Sequence, residues 1–184
     1  MKITGVSGSL GSPSRTKGLV AAIVRQLETR FGVRAHIADL SETAPLQWAA
    51  GLGKDGPVEL RSLLNRIESS DVLVVGSPVY KGAYSGLFKH VFDLVDRDAL
   101  RGKVVLLAAT GGSDQHALVI EHHLRPLFAF FGAHTVPTGI YANESDFADY
   151  DTIANPAILI RIEQAVDQVV YLAGRSTVPA AAVA

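Results

Sequence analysis

Apolar positions along the chain come in two kinds of run, short dense ones and longer ones with helical spacing. Lys2 to Val6 predicts a first strand that ends in Ser7-Gly8-Ser9. From Thr16 to Phe31, Leu19, Ile23, Leu27 and Phe31 recur as a helical stripe, and Gly32 is a natural helix-ending residue. Val33 to Leu40 predicts a second strand. A helix beginning at Pro57 buries Leu60, Leu63, Leu64 and Ile67, with proline where a missing N–H does no harm. Val72–Gly76 and Val104–Ala109 are apolar throughout, as in strands covered on both faces. The spacing of Leu87, Val91 and Leu94 predicts a helix over Tyr84–Val95, and Asp114–Phe131 reads as one long helix closed by Gly132. Thr135–Tyr141 predicts the last strand, and Asn155-Pro156 opens a final helix that runs to Ala173.

Strands separated by helices, two of them apolar throughout, predict an α/β fold: a doubly wound five-stranded parallel sheet of order 2-1-3-4-5. Ligands of such sheets sit beyond the carboxyl ends of the strands, where the winding reverses. The loops after strands one, three and four are therefore the ones to read for chemistry. The stretch from Ser41 to Gly56, which holds Trp48, is the only long irregular one, so residues 1–174 form a single domain and 175–184 a loose tail.

Composition narrows the function. The 184 residues are 48% hydrophobic and 19% charged, the balance of a folded chain. Seventeen Lys and Arg against eighteen Asp and Glu leave a charge of -1, so nothing steers the chain to nucleic acid or an anionic membrane. The absence of cysteine excludes disulfides, thiolate metal sites and cysteine nucleophiles. No signal peptide and no apolar run of roughly 18 residues are present, which predicts a soluble cytoplasmic protein.

The loop Gly8–Thr16 leads into a helix whose free amino-terminal N–H groups suit a phosphate, and its hydroxyls and Arg15 add donors. It matches neither G-x-G-x-x-G nor G-x-x-x-x-G-K-[ST], so dinucleotide-binding and nucleotide triphosphatase folds are unsupported. A turn whose serines only cap the helix is the plainer reading. After strand three, Pro78 and Tyr80 make a floor for a flat ring, unless Tyr80 merely packs on the next helix. After strand four, Thr110-Gly111-Gly112-Ser113-Asp114 leaves backbone N–H groups for a heterocycle or a developing anion, and Ser113 or Asp114 caps the next helix. His116, His122 and His123 lack the i, i+4 pairing of a metal site. There is no G-x-S-x-G, and strand one ends in Gly-Ser where a phospho-receiver domain needs acids.

Gly8-Ser9 with Ser14 and Thr16, then Gly76-Ser77-Pro78-Val79-Tyr80, then Thr110-Gly111-Gly112, resemble the NAD(P)H-dependent FMN reductases of the flavodoxin-like superfamily. The likeness covers roughly the first 150 residues. From Pro78 through Gly86 to Lys89 the chain looks most like the reductases of two-component alkanesulfonate and methanesulfonate monooxygenases. The resemblance implies that Ser9, Ser14, Arg15 and Thr16 hold the FMN phosphate. It implies that Pro78, Val79 and Tyr80, with Lys81 and Ser85 nearby, line the ring and ribityl chain, and that Thr110, Gly111 and Gly112 contact the ring's polar edge. It further implies hydride transfer from NADH or NADPH to FMN without a protein acid or base, release of reduced FMN to a partner monooxygenase, and a homodimer or homotetramer.

Two departures matter. Many relatives have Arg where this chain has Gly11, which suits FMN as a substrate more than as a prosthetic group. Alkanesulfonate-type relatives carry an inserted Tyr, associated with a π-bulge at a tetramer interface, where this chain has His122. The resemblance thus points to a π-bulge at His122 that affects flavin release, against an unbroken helix with an exposed histidine. Two other functions share these loops: a flavoprotein with bound FMN that reduces quinones, azo dyes or metal oxyanions, and a flavodoxin-like electron carrier. The charge of -1 argues against the carrier, since carriers are usually strongly acidic.

Overall fold

In the computed structural model, which describes residues 1–42 and 56–176, β1 (Ile3–Ser7) lies between two parallel neighbours. Gly5 of β1 pairs with Ile37 of β2 (His36–Asp39) on one side and with Val74 of β3 (Val72–Pro78) on the other. β3 pairs in parallel with β4 (Val104–Gly111) over its full length, and the order β2-β1-β3-β4-β5 is the expected one. β2 is shorter than its apolar run suggests. The N–H groups of Val33 and Ala35 are still engaged by the carbonyl and carboxylate of Glu28, so the chain joins the sheet only at His36.

The expected fifth strand is two short ones, β5 (His134–Thr135) and β6 (Ile140–Asn143), both paired with β4. Between them Pro137 has no N–H to offer a ladder, and other elements satisfy the segment. The Arg125 guanidinium donates to the carbonyls of Val136 (2.9 Å) and Pro137 (3.1 Å). The Gln168 side chain accepts from the Thr138 N–H at 2.9 Å and donates to its hydroxyl at 2.8 Å. Gly139 is required here, because a Cβ would lie 2.6 Å from Ile120.

Helices cover both faces, as the apolar strands demand. On one face α1 (Arg15–Phe31) and α5 (Pro156–Ser176) bury Leu19, Ile23, Ile162 and Val166 against Val74, Leu106 and Ile140. On the other, α2 (Val58–Glu68), α3 (Gly86–Leu94) and α4 (Arg125–Phe130) bury Leu60, Leu64, Phe88, Phe92 and Phe128 against Leu73, Val75 and Leu107. Successive strand residues thus feed opposite cores, each large side chain contributing about 1.5–3 kcal/mol. Among the described residues, no helix is long and apolar enough to cross a membrane. The final helix passes the expected end at Ala173 and continues to Ser176, with Arg175 donating to the Tyr171 hydroxyl one turn back. The remainder of the expected tail, residues 177–184, and Trp48 lie outside the described residues.

The long helix expected over Asp114–Phe131 is broken into a 3-10 turn (Asp114–His116), a π-helical turn (Ile120–Leu124) and α4. The Arg125 N–H donates to the carbonyl five residues back, on Ile120, whereas that of His122 still reaches Leu118 four back. The expected π-bulge at His122 is therefore present. The extra residue coincides with Pro126, which cannot continue the ladder, and with the seating of Ile120 over Gly139. Gly132 at φ 65 ends the segment as expected.

Two outcomes follow from this packing. A Cβ at Gly18 in α1 would lie 2.4 Å from the Tyr150 carbonyl, whereas one at Gly174 in α5 would meet nothing within 4 Å among the described residues. Gly18→Ala is expected to lose about 1–2 kcal/mol through overpacking despite its better helix propensity. Gly174→Ala is expected to hold or raise the midpoint, and thermal unfolding of the pair separates the two effects. The second concerns Glu121, whose carboxyl is held below the usual carboxylate range by hydrogen bonds from Arg125, against a smaller opposing effect of burial. A depressed folded pKa stabilises above the unfolded value of about 4.3, and that contribution disappears as pH falls through the folded value. Wild-type unfolding midpoints should therefore drop more steeply in that acid window than those of Glu121→Gln. Parallel curves would show that the pair contributes nothing.

Candidate functional site

The carboxyl ends of β1, β3 and β4 finish side by side, and a set of short hydrogen bonds keeps the loops that leave them together. The Gly8 N–H donates to the Gly76 carbonyl at 2.7 Å, and the Val79 N–H to the Thr110 carbonyl at 2.8 Å. The buried hydroxyls of Thr16, in the first turn of α1, and Thr110, at the end of β4, lie 2.6 Å apart. This closeness needs glycine at position 8, where a Cβ would fall 2.7 Å from the Phe88 ring. The result is an open cleft of about 290 Å³ at the switch point of the sheet.

Most of the residues read from the sequence meet in this cleft. Ser9, Ser14, Arg15 and Thr16 line one end, Pro78, Val79 and Tyr80 a second side, and Thr110, Gly111 and Gly112 a third. Ser14 is also the N-cap of α1, its hydroxyl accepting from the Lys17 N–H at 3.2 Å, so the plainer capping role holds for it as well. Tyr80 is 49% exposed, so it is free to face a ligand and is not packed away on α3.

Two expected residues stand elsewhere. Ser85 is fully buried behind the cleft as the N-cap of α3. Its hydroxyl donates to the Gly8 carbonyl at 2.8 Å and accepts from the Phe88 N–H, leaving no group for a ligand. Lys81, at φ 52, forms with Gly82, at φ 84, the tip of a two-residue turn between the paired residues Tyr80 and Ala83. Both central residues have positive φ, as tight hairpins require, and the Lys81 side chain is exposed outside the lining. His122 lies in the π-helical turn and does not line the cleft.

A fourth wall comes from the segment after β6, which the sequence reading passed over: Asn143, Glu144 and Tyr150. Asn143 caps a 3-10 turn, Glu144–Asp146, in a reciprocal capping box with Asp146. That Asn-x-x-Asp pattern directly after a strand was the available signal. The Asn143 amide also donates to Asp114 at 2.7 Å, and the Tyr141 hydroxyl donates to the Ser113 carbonyl, so β6 holds the loop after β4. Burial is the main cause that raises the Tyr141 pKa, which keeps its phenol a donor at neutral pH. Gly111 allows that contact, since a Cβ would lie 2.2 Å from the Tyr141 oxygen.

Arg15 is the electrostatic centre of the cleft. Its guanidinium pairs with Glu144 at 2.7 Å and stacks 4.8 Å from the centroid of Tyr150, while its Nε is buried without an acceptor. Arg15 and Glu144 are the only Arg, Lys, Asp or Glu side chains, among the described residues, that line it. The cleft therefore offers hydroxyl and guanidinium donors at one end and flat apolar surfaces along its side. Among the described residues that line it, the one carboxylate, Glu144, is paired with Arg15 and there is no imidazole.

A family model of NADPH-dependent FMN reductases matches residues 1–148. An NADH-dependent FMN reductase, SfnF, of Pseudomonas putida is 48% identical over 171 residues, covering 92% of this chain and 91% of that protein. The SfnF of Pseudomonas fluorescens strain Pf0-1 is 44% identical, covering 97% and 95%. An oxidoreductase structure from Corynebacterium diphtheriae superposes with a TM-score of 0.81 at 32% identity, covering 95% of this chain and 97% of that one. With its cleft at the switch point of a 2-1-3-4-5 sheet, the chain belongs to the NADPH-dependent FMN reductase family, enzymes that use a reduced nicotinamide to reduce FMN.

Proposed function

We propose that this reductase treats FMN as a substrate and hands reduced FMN to a partner sulfonate monooxygenase. The observation that supports it is the charge of the cleft: one cation, Arg15, already paired with Glu144. A dianionic phosphate would there depend on hydroxyls, amides and a shared guanidinium, which favours weak holding and turnover. The sulfonate partner rests on the resemblance of the stretch from Pro78 to Lys89.

The lining fits FMN. The orphaned Arg15 Nε and the hydroxyls of Ser9, Ser14 and Thr16 are a donor set for a phosphate at the amino end of α1. Pro78, Val79 and Tyr80 orient the ring by contact, and the backbone at Thr110, Gly111 and Gly112 lies toward its polar edge. FMN, when bound, accepts a hydride from nicotinamide. Tyr141, Asn143 and Asp146 act at one remove by holding the loop after β4 and the turn that carries Glu144. His122 belongs to this reading as a modulator of flavin release through the π-helical turn. A homodimer or homotetramer also belongs to it, supported by Phe130, an apolar side chain 67% exposed at the end of α4 that a second copy would cover.

Flavin-free protein should oxidise NADH or NADPH only when FMN is added, with a rate that saturates at FMN far above the enzyme concentration. A yellow protein whose rate ignores added FMN and rises with quinone or dye would instead mean bound-flavin reduction of another acceptor. Removing the guanidinium with Arg15→Ala should raise KM for FMN about tenfold, the scale of one charge-assisted hydrogen bond. KM for riboflavin, which has no phosphate, should stay within twofold.

A further inference from the structure

Arg15 would face two anions once a phosphate arrives, Glu144 at Nη2 and the phosphate at its unpaired Nε. Its Nη2 donates to Glu144 Oε1 at 2.7 Å. The Glu144 carboxylate is 63% exposed and so can turn away, but its backbone cannot, because it follows Asn143 in the capping box with Asp146. The Ser145 N–H and hydroxyl both bond the Asn143 side chain, and the Asn143 amide is anchored on Asp114. A carboxylate is thus held on a fixed stalk at the phosphate end of the cleft, next to the one cation there.

We infer that Glu144 is an internal competitor of the FMN phosphate, a second anion at Arg15 whose charge reduces what the guanidinium offers the phosphate. The inference rests on the reading that places the phosphate at Arg15. A dianion in this loop must share the charge of Arg15 with Glu144 and sit near a second negative charge. Both effects weaken FMN and neither touches the flavin ring. When the product leaves, Glu144 still balances the charge of Arg15, which favours departure over lingering. Glu144 therefore acts as a positioning and specificity residue that sets how long the phosphate stays, without taking part in hydride transfer.

The test is equilibrium titration of FMN and of riboflavin by flavin fluorescence, with stopped-flow release rates, on the wild-type protein, Glu144→Gln, Arg15→Ala and the double variant. Glutamine keeps the size of the side chain and removes its charge. Glu144→Gln is expected to tighten FMN about three- to fivefold, the scale of a partly exposed ion pair. The gain should appear mainly as slower release, leave riboflavin within twofold, and shrink in the Arg15→Ala background, where only the repulsion between Glu144 and the phosphate remains. Unchanged or weaker FMN binding in Glu144→Gln, with Arg15→Ala still weakening FMN, would overturn the competitor role and leave the phosphate site standing. Equal loss of FMN and riboflavin would likewise overturn it, by making Glu144 a direct ligand of the ring or ribityl chain. If Arg15→Ala leaves FMN binding unchanged, the phosphate reading fails first and the inference with it.

Discussion

The buried hydrogen bond between the Thr16 and Thr110 hydroxyls joins the first turn of α1 to the end of β4 across the carboxyl edge of the sheet. The cleft depends on that approach. β1, β3 and β4 end level because they pair in parallel with Ser7 opposite Gly76 and Pro78 opposite Thr110. The loops then meet only because side chains are missing where backbones converge: at Gly8 against Phe88, and at Gly76 against Val20, where a Cβ would fall 2.5 Å away. Two apolar cores, one on each face, fix the strands in that register. Whatever is held at the amino end of α1 is thereby held at a set distance from the floor formed by Pro78–Tyr80.

The same edge gives the proposed division of labour between cofactor and protein. The cofactor carries the redox chemistry, and the protein contributes position and electrostatics. In this cleft the two charged side chains, Arg15 and Glu144, pair with each other near the amino end of α1. The rest of the lining is largely backbone, proline and aromatic surface. If the phosphate is held as proposed, its hold can be tuned at Arg15 and Glu144 without disturbing the ring. The π-helical turn joins this arrangement indirectly. Arg125 clasps the break between β5 and β6, and β6 carries Tyr141, which holds the loop after β4, and Asn143, which with Glu144 lines the cleft.

Much of the fold was legible in the chain because local and tertiary signals agree there. The stripe Leu19, Ile23, Leu27 matches the buried face of α1, and Gly32 does end it, at φ 64. The uninterrupted Val72–Gly76 run is buried throughout. Where reading failed, a distant group decided. Thr135–Tyr141 looks like one strand until Arg125 and Gln168 claim the carbonyls and N–H between its halves. Asp114–Phe131 has continuous helical spacing, which does not report the change from four- to five-residue hydrogen bonds at Ile120. For the site, Ser9, Ser14, Arg15, Thr16 and the two later loops follow from the rule that ligands sit past the strand ends. Ser85 and Lys81 entered through family likeness alone, and burial in one case and turn geometry in the other take them out of the lining. Glu144 and Tyr150 were missed because the pairing of Arg15 joins residues more than a hundred positions apart.

The most direct measurement is a crystal structure of this protein with FMN bound. The account predicts phosphate oxygens within hydrogen-bonding distance of Arg15 and the Ser9 and Ser14 hydroxyls, with the ring on Pro78–Tyr80 and its polar edge at Gly111–Gly112. A phosphate bound away from the loop between β1 and α1, or a ring seated outside the cleft, would contradict it.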